Sequence, residues 1–228
     1  VTIRTLDLGG DKNPHRSLTG YAEANPFMGF RGIRFCLENP PIFKEQLRAI
    51  LRASHYGMVR ILYPMICNLN ELKQANQLLE EAKEELQSQG LPFDASIKKG
   101  AMIEVPSACV ITDLLARHCD FFSIGTNDLM QYLLAVDRIN DRIAYLYEAH
   151  QPAILRSLNY IFQQGKIQGV PVSVCGELAG DPLYAPLLIG LGAHDLSVSL
   201  GSLARIKYLI RRIRLQDTLK LAIHVLLH

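Results

Sequence analysis

The stretch DFFSIGTNDLMQYLLAVDR, residues 120–138, decides the fold class. Its first five residues, DFFSI, are a short apolar run that reads as a strand of a buried sheet. The run passes straight into Gly-Thr-Asn-Asp, and an amphipathic helix near 127–136 follows and ends in Asp-Arg. A strand that stops on an amide and a carboxylate, with a helix directly after it, is one strand–helix unit of a parallel sheet.

The same alternation extends in both directions. Strands are predicted at 1–8, 59–66, 100–105, 120–124, 170–175 and 194–199. A glycine-rich polar loop covers 9–25. Helices are predicted at 40–57, opened by two prolines and closed by Gly57, and at 70–89, with an Asn cap and Gly90 just past the end. Further helices fall at 107–117, near 127–136, at 150–165 and at 181–191, and terminal helices complete the chain. Short strands ending in polar or glycine residues predict an α/β fold, a (β/α)8 TIM-type barrel whose function sits at the strand C-termini. Six strands are read where eight are needed, so one or two are irregular or one lies upstream of Val1. With no internal repeat or linker, residues 1–228 read as one domain. Its strand-like start at Val1 marks it as a fragment of a longer chain.

Composition narrows the function. Of 228 residues 49% are hydrophobic and 20% charged, enough for a substantial core. A net charge of +2 argues against a nucleic-acid or membrane footprint, while leaving room for a small basic pocket. Five cysteines, Cys36, Cys67, Cys109, Cys119 and Cys175, show no CxxC or zinc-ligand spacing and read as reduced cytoplasmic thiols, mostly core filler. No run approaches a membrane span or a signal peptide.

The strand ends carry the chemistry. The first gives Arg4 and LDLGGDK; the segment after its loop, NPFMGFRGIR, gives Arg31 and Arg34. MIEVP ends on Glu104, SIGTND on Asn127 and Asp128, and SVCGE on Cys175 and Glu177. Two carboxylates with open positions suit Mg²⁺, which takes one or two protein carboxylates plus waters and substrate oxygens. Arginines suit phosphate through planar paired hydrogen bonds. Backbone N–H groups ahead of a helix suit an anion, and a thiol offers a proton. The set fits a small phosphorylated acid held on magnesium.

RTLDLGGDK, NPFMGFRGIR, MIEVPSA, FFSIGTNDLMQYLLAVDR and CGELAGD closely resemble the phosphoenolpyruvate (PEP)-binding barrel of the PEP-utilising enzymes, and within them the enzyme I branch of the bacterial phosphotransferase system. The resemblance covers essentially the whole chain, with the motifs in family order. It implies a phosphotransferase that takes the phosphoryl group of PEP onto its own histidine, releases pyruvate, and passes the group to a small phosphocarrier protein. By position, Arg4, Arg31 and Arg138 correspond to the phosphate- and substrate-binding arginines. Glu104 and Asp128 correspond to the Mg²⁺ ligands, Asn127 to a substrate contact, and Cys175 to the thiol of proton exchange at the methylene carbon. A homodimer is also implied.

Three positions depart from the family pattern: Met130 where Thr is usual, NPHRSLTG (13–20) in the loop after GGDK, and Val198 in the last strand. None removes a charged site residue. The family's phosphorylatable histidine sits in a TSH-containing motif on a separate swivelling domain, and ASHYG around His55 does not match it.

Blander readings stand beside these. The carboxylates suit structural ion pairs, and Cys175 suits a small core residue. Arg31 and Arg34 suit a surface helix, with Arg31 the better candidate for the ligand. Glu177 suits either the site or a loop brace. His15, His55 and His150 read as solvent or loop residues, and RRIR at 211–214 as a solvated helix face. Two other functions remain open: the matching domain of a pyruvate phosphate dikinase or PEP synthase, and a regulatory module that senses PEP without turning it over.

Overall fold

The structure, a computed structural model, describes residues 1–7 and 23–227. Most of the 9–25 loop, with GGDK, His15 and NPHRSLTG, lies outside the described residues. The chain divides into two compact units, Val1–Met102 and Ile103–His228.

In the first unit, β1 (Thr2–Arg4), β2 (Arg60–Tyr63) and β3 (Lys98–Ile103) run parallel. Thr2 pairs with Arg60, and Arg60 in turn with Lys98. Helices α1 (Ile33–Glu38), α2 (Pro40–Ser54) and α3 (Leu69–Ser88) accompany them. The prolines at the start of α2 occupy its first turn, where a missing N–H costs nothing. In α3, Leu72, Ala75, Leu79, Ala82 and Leu86 are buried, three or four residues apart, which is one stripe of a 3.6-residue helix. Its cap is Asn68, two residues ahead of the predicted start. The Asn68 side chain accepts from Glu71 N–H at 2.9 Å while the Glu71 carboxylate accepts from Asn68 N–H, a reciprocal capping box. Across α2 and α3, Lys44 and Arg48 each reach Glu85 at 2.6 Å.

In the second unit, β4 (Phe121–Gly125) is buried at all five residues, as a strand covered on both faces must be. It pairs parallel with β5 (Val172–Cys175), which pairs with β6 (Asp195–Leu196). The register sets Gly125 against Cys175, so the two strands end side by side. The predicted 107–117 helix is divided into α4 (Pro106–Val110) and α5 (Thr112–Leu115). The break comes at Ile111, whose φ of −102° and ψ of 22° leave the helical region. Then come α6 (Thr126–Leu134), α7 (Pro152–Gln168), α8 (Ala185–Leu191), α9 (Leu200–Ile210) and α10 (Leu215–Leu227). Residues 181–184, predicted as helix, precede α8 as a turn that follows a one-turn helix at Glu177–Gly180. Ile154, Leu158, Ile161 and Phe162 of α7 join Phe122, Ile124 and Val174 of the sheet in the core. Among the described residues no helix is long and apolar enough to cross a membrane.

Candidate functional site

The candidate residues fall into two groups, one per unit. In the first unit the organising group is Asp7, which sequence reasoning passed over. Its side chain is fully buried and takes Arg31 in a two-pronged pair, Nε to Oδ1 at 3.1 Å and Nη2 to Oδ2 at 2.8 Å. Arg4 approaches the same carboxylate at 3.4 Å while keeping 39% of its side chain exposed. Arg31 itself is only 1% exposed and lies ahead of α1. It therefore belongs to the core, and the surface-helix reading does not describe it. Arg34, inside α1, turns back to the carbonyls of Met28 and Gly29 at 2.8 and 3.1 Å and braces the preceding turn. Burial, with the Asp7 charge adding to it, pushes the Cys36 thiol up to about 12. The three-residue spacing in RTLD allows the Arg4–Asp7 contact, but nothing in the sequence announces the Arg31 pair that buries the carboxylate.

In the second unit, Glu104 directly follows β3 and is 2% exposed. Asp128, in the first turn of α6, is 6% exposed. Burial of a carboxylate is costly without compensating charge or donors, so these positions were not filled by indifferent surface acids. Asp128 Oδ1 meets Arg138 Nη1 at 3.2 Å. The return of Arg138 has a local cause: α6 stops when Ala135 takes the left-handed conformation at φ +52°. Gln131 then accepts Val136 N–H on its carbonyl and Arg138 N–H on its side chain. The helix predicted near 127–136 thus ends two residues sooner, at Leu134, which lets the chain turn back before Arg138.

Asn127 is held by its neighbours. Its Oδ1 accepts Glu177 N–H at 3.1 Å and its main-chain carbonyl accepts the Tyr147 hydroxyl at 2.9 Å. With Oδ1 the acceptor there, the donor end of the amide is its N–H₂ group, the chemistry an anion requires. Glu177 thus braces the loop through its backbone while its side chain is exposed. Cys175 Sγ accepts from Ser123 Oγ at 3.2 Å and donates to Ile124 O at 3.3 Å, and Thr126 Oγ1 donates to the Cys175 carbonyl at 2.9 Å. Gly176 follows at φ +97°, and a Cβ there would lie 2.5 Å from Thr126 Oγ1 and 2.8 Å from Asn127 Oδ1. Only glycine lets the Cys175 strand end approach the Asn127 turn this closely.

Asn127, Cys175, Gly176 and Glu177 line a cleft of about 660 Å³ with Ser199, Ser202, Arg205 and the departing residue Val198. Met130, the other described departure, is 5% exposed, so its thioether falls in the core. Tyr147, a residue sequence reasoning missed, is half-buried; burial pushes its phenol up to about 12, against the pull of the Arg138 guanidinium. Asn127, Asp128, Arg138 and Cys175 are thus linked through one set of contacts. Among the described residues no three His, Cys, Asp or Glu side chains cluster to hold a metal by themselves.

Comparison with known proteins completes the description. Residues 1–215 match the family described as PEP-utilising enzyme, PEP-binding domain. The chain belongs to that family. It is 48% identical over 218 residues to a phosphoenolpyruvate-protein phosphotransferase of Priestia megaterium, covering 95% of this chain and 38% of the relative. Proteins of the same name from Listeria monocytogenes and Bacillus subtilis are each 46% identical, over 97% and 95% of this chain and 39% and 38% of their own lengths. The PEP-binding domain thus spans about two-fifths of the curated relatives it matches. Among solved structures it is similar to a citrate lyase of Burkholderia xenovorans (TM-score 0.56, 17% identity, 73% of this chain and 53% of that one). It is also similar to an HpcH/HpaI aldolase/citrate lyase family protein of Burkholderia cenocepacia (TM-score 0.51, 16% identity, 76% and 68%). These likenesses bear on fold alone. With the six parallel strands described, they place the PEP-binding domain in the α/β barrel class that the sequence predicts.

Proposed function

We propose that this chain binds PEP with Mg²⁺ and supplies its phosphoryl group to a histidine on another domain of the full-length protein, for onward transfer to a phosphocarrier. The observation that carries this reading is the contact between Asp128 and Arg138, one residue from Asn127. It joins a cation-binding group, an anion-binding group and a hydrogen-bond donor at the end of one strand. Family membership, with relatives named for this reaction, supports the substrate.

Glu104 and Asp128 fit Mg²⁺ as hard oxygen donors, since this ion takes one or two protein carboxylates and fills its shell from substrate and water. When bound, the ion supplies charge neutralisation at the substrate oxygens. Arg138 orients and neutralises the phosphate; in the first unit Arg4 keeps part of its side chain exposed for an anion, while Arg31, sealed against Asp7, acts by holding that carboxylate in place. The P–O bond of PEP breaks as the N–P bond to the histidine forms in line. The enolate left behind takes a proton at its methylene carbon and becomes pyruvate. In this reading Cys175 delivers that proton; its thiol lies between Ser123 Oγ and the Ile124 carbonyl at the end of its strand. In the same reading the protein works in the cytoplasm as a homodimer.

Titration calorimetry tests the reading. PEP binds in the presence of Mg²⁺ and not with EDTA, and Asp128→Ala abolishes the heat. PEP binding that is indifferent to the metal and to this substitution would overturn it.

A further inference from the structure

We infer that Tyr147 is a positioning residue that aims Asn127 and Arg138 at the bound anion, an inference that rests on the PEP reading above. Nothing in the motifs points to Tyr147, which lies 20 residues beyond Asn127.

Two contacts converge on it, and a third continues from them. Its hydroxyl donates to the Asn127 carbonyl at 2.9 Å, and the same oxygen is hydrogen-bonded with the Arg138 side chain. Arg138 in turn meets Asp128 at 3.2 Å. The phenol therefore stands between the main chain of one proposed substrate contact and the guanidinium of the other. The segment that delivers it is built for that purpose: after α6 ends at Ala135, a one-turn helix at Ala144–Leu146 sets Tyr147 facing back toward the first turn of α6.

The consequence is geometric. The Asn127 carbonyl lies inside a helix, where an oxygen has one lone pair for the helical bond and one to spare. Tyr147 uses the spare one, while Glu177 N–H fixes the side chain of the same residue. Asn127 is thereby restrained at both ends, and the peptide joining it to Asp128 has one orientation. Tyr147 also lines a second cleft of about 390 Å³ with Asn127, Glu177, Asp181 and Tyr184, so its ring is reached by solvent on one side. Removing only the hydroxyl therefore need not open the core.

The test compares Tyr147→Phe with Tyr145→Phe, a 70%-exposed control two residues away. In calorimetry with saturating Mg²⁺, Tyr147→Phe weakens PEP binding by about three- to tenfold, the effect of one net hydrogen bond, and Tyr145→Phe leaves it unchanged. The urea midpoint of Tyr147→Phe falls slightly, as for one lost hydrogen bond, and the variant remains folded under the binding conditions. Without any ligand, the Asp128 amide resonance moves in Tyr147→Phe, because the preceding carbonyl has lost its donor. Equal PEP affinity in wild type and Tyr147→Phe would overturn the inference, as would a variant already unfolded without urea, whose loss of binding is then structural. Failure of the wild type to bind PEP defeats the function reading instead, and an unmoved Asp128 resonance then defeats the positioning role separately.

Discussion

At the scale of single residues, burial separates groups that a sequence presents alike. Arg31 and Arg34 sit three apart in one motif, yet one is sealed at 1% exposure against Asp7 and the other braces a turn. The Arg31–Asp7 pair is a buried ion pair, and such pairs are most sensitive to loss of one partner. Asp7→Asn is expected to lower the unfolding free energy by about 3–5 kcal/mol in urea titrations, because it leaves a desolvated guanidinium facing a neutral amide. A loss below about 1 kcal/mol would mean that another group compensates Arg31. Glu104, Asn127, Asp128 and Cys175 stand out in the sequence because each ends a strand or opens a helix, and Arg138 because it closes the motif that follows one; their roles are proposals. Asp7 and Tyr147 do not stand out, because their importance lies in which atoms they touch, and sequence spacing does not report contacts between residues 7 and 31 or between 127 and 147.

At the scale of elements, periodicity served well wherever an element is long. The α3 stripe and the buried β4 run were readable as patterns of 3.6 and of continuous apolarity. Short pieces were less so: β6 is two residues where six were predicted, and the 107–117 helix is broken at Ile111. The cap of α3 was misplaced because Asn68 and Asn70 both precede the apolar stripe, and only the capping box with Glu71 selects between them. Helix packing sets a sharper test. A Cβ on Gly190 would collide with the Thr218 carbonyl, so α8 and α10 approach through a bare backbone. Gly190→Ala is expected to destabilise by about 1–3 kcal/mol, since main chain cannot rotate away as a side chain can. Gly201, in the first turn of α9, meets nothing within 4 Å, so the same change there is expected to stabilise by about 0.4–1 kcal/mol. Thermal or urea unfolding of the two variants should therefore move in opposite directions.

At the scale of the whole molecule, the class of fold was decided by the succession of strands and helices, which no single residue carries. The division into two compact units was not visible, because both are built from the same strand–helix alternation and no linker marks Met102. The arginine pair with Asp7 belongs to the first unit and the carboxylates, Asn127, Arg138 and Cys175 to the second. None of the seven histidines lies in a TSH sequence, and His55 is exposed just after the end of α2. Incubated with PEP and Mg²⁺, the 228-residue chain is expected to bind without gaining phosphohistidine, as intact mass under neutral conditions would show. A stoichiometric gain of one phosphoryl group would place the acceptor within it.

The guanidinium of Arg138 rests on an oxygen of Asp128, the carboxylate proposed to hold the divalent ion. In the proposed reaction an arriving cation must therefore displace an internal counterion, and the displaced arm is left seeking negative charge. A phosphorylated acid answers that need. The two ligands are thermodynamically tied: whatever factor the anion adds to the affinity for the ion, the ion returns to the anion. In this reading each ligand prepares the place of the other.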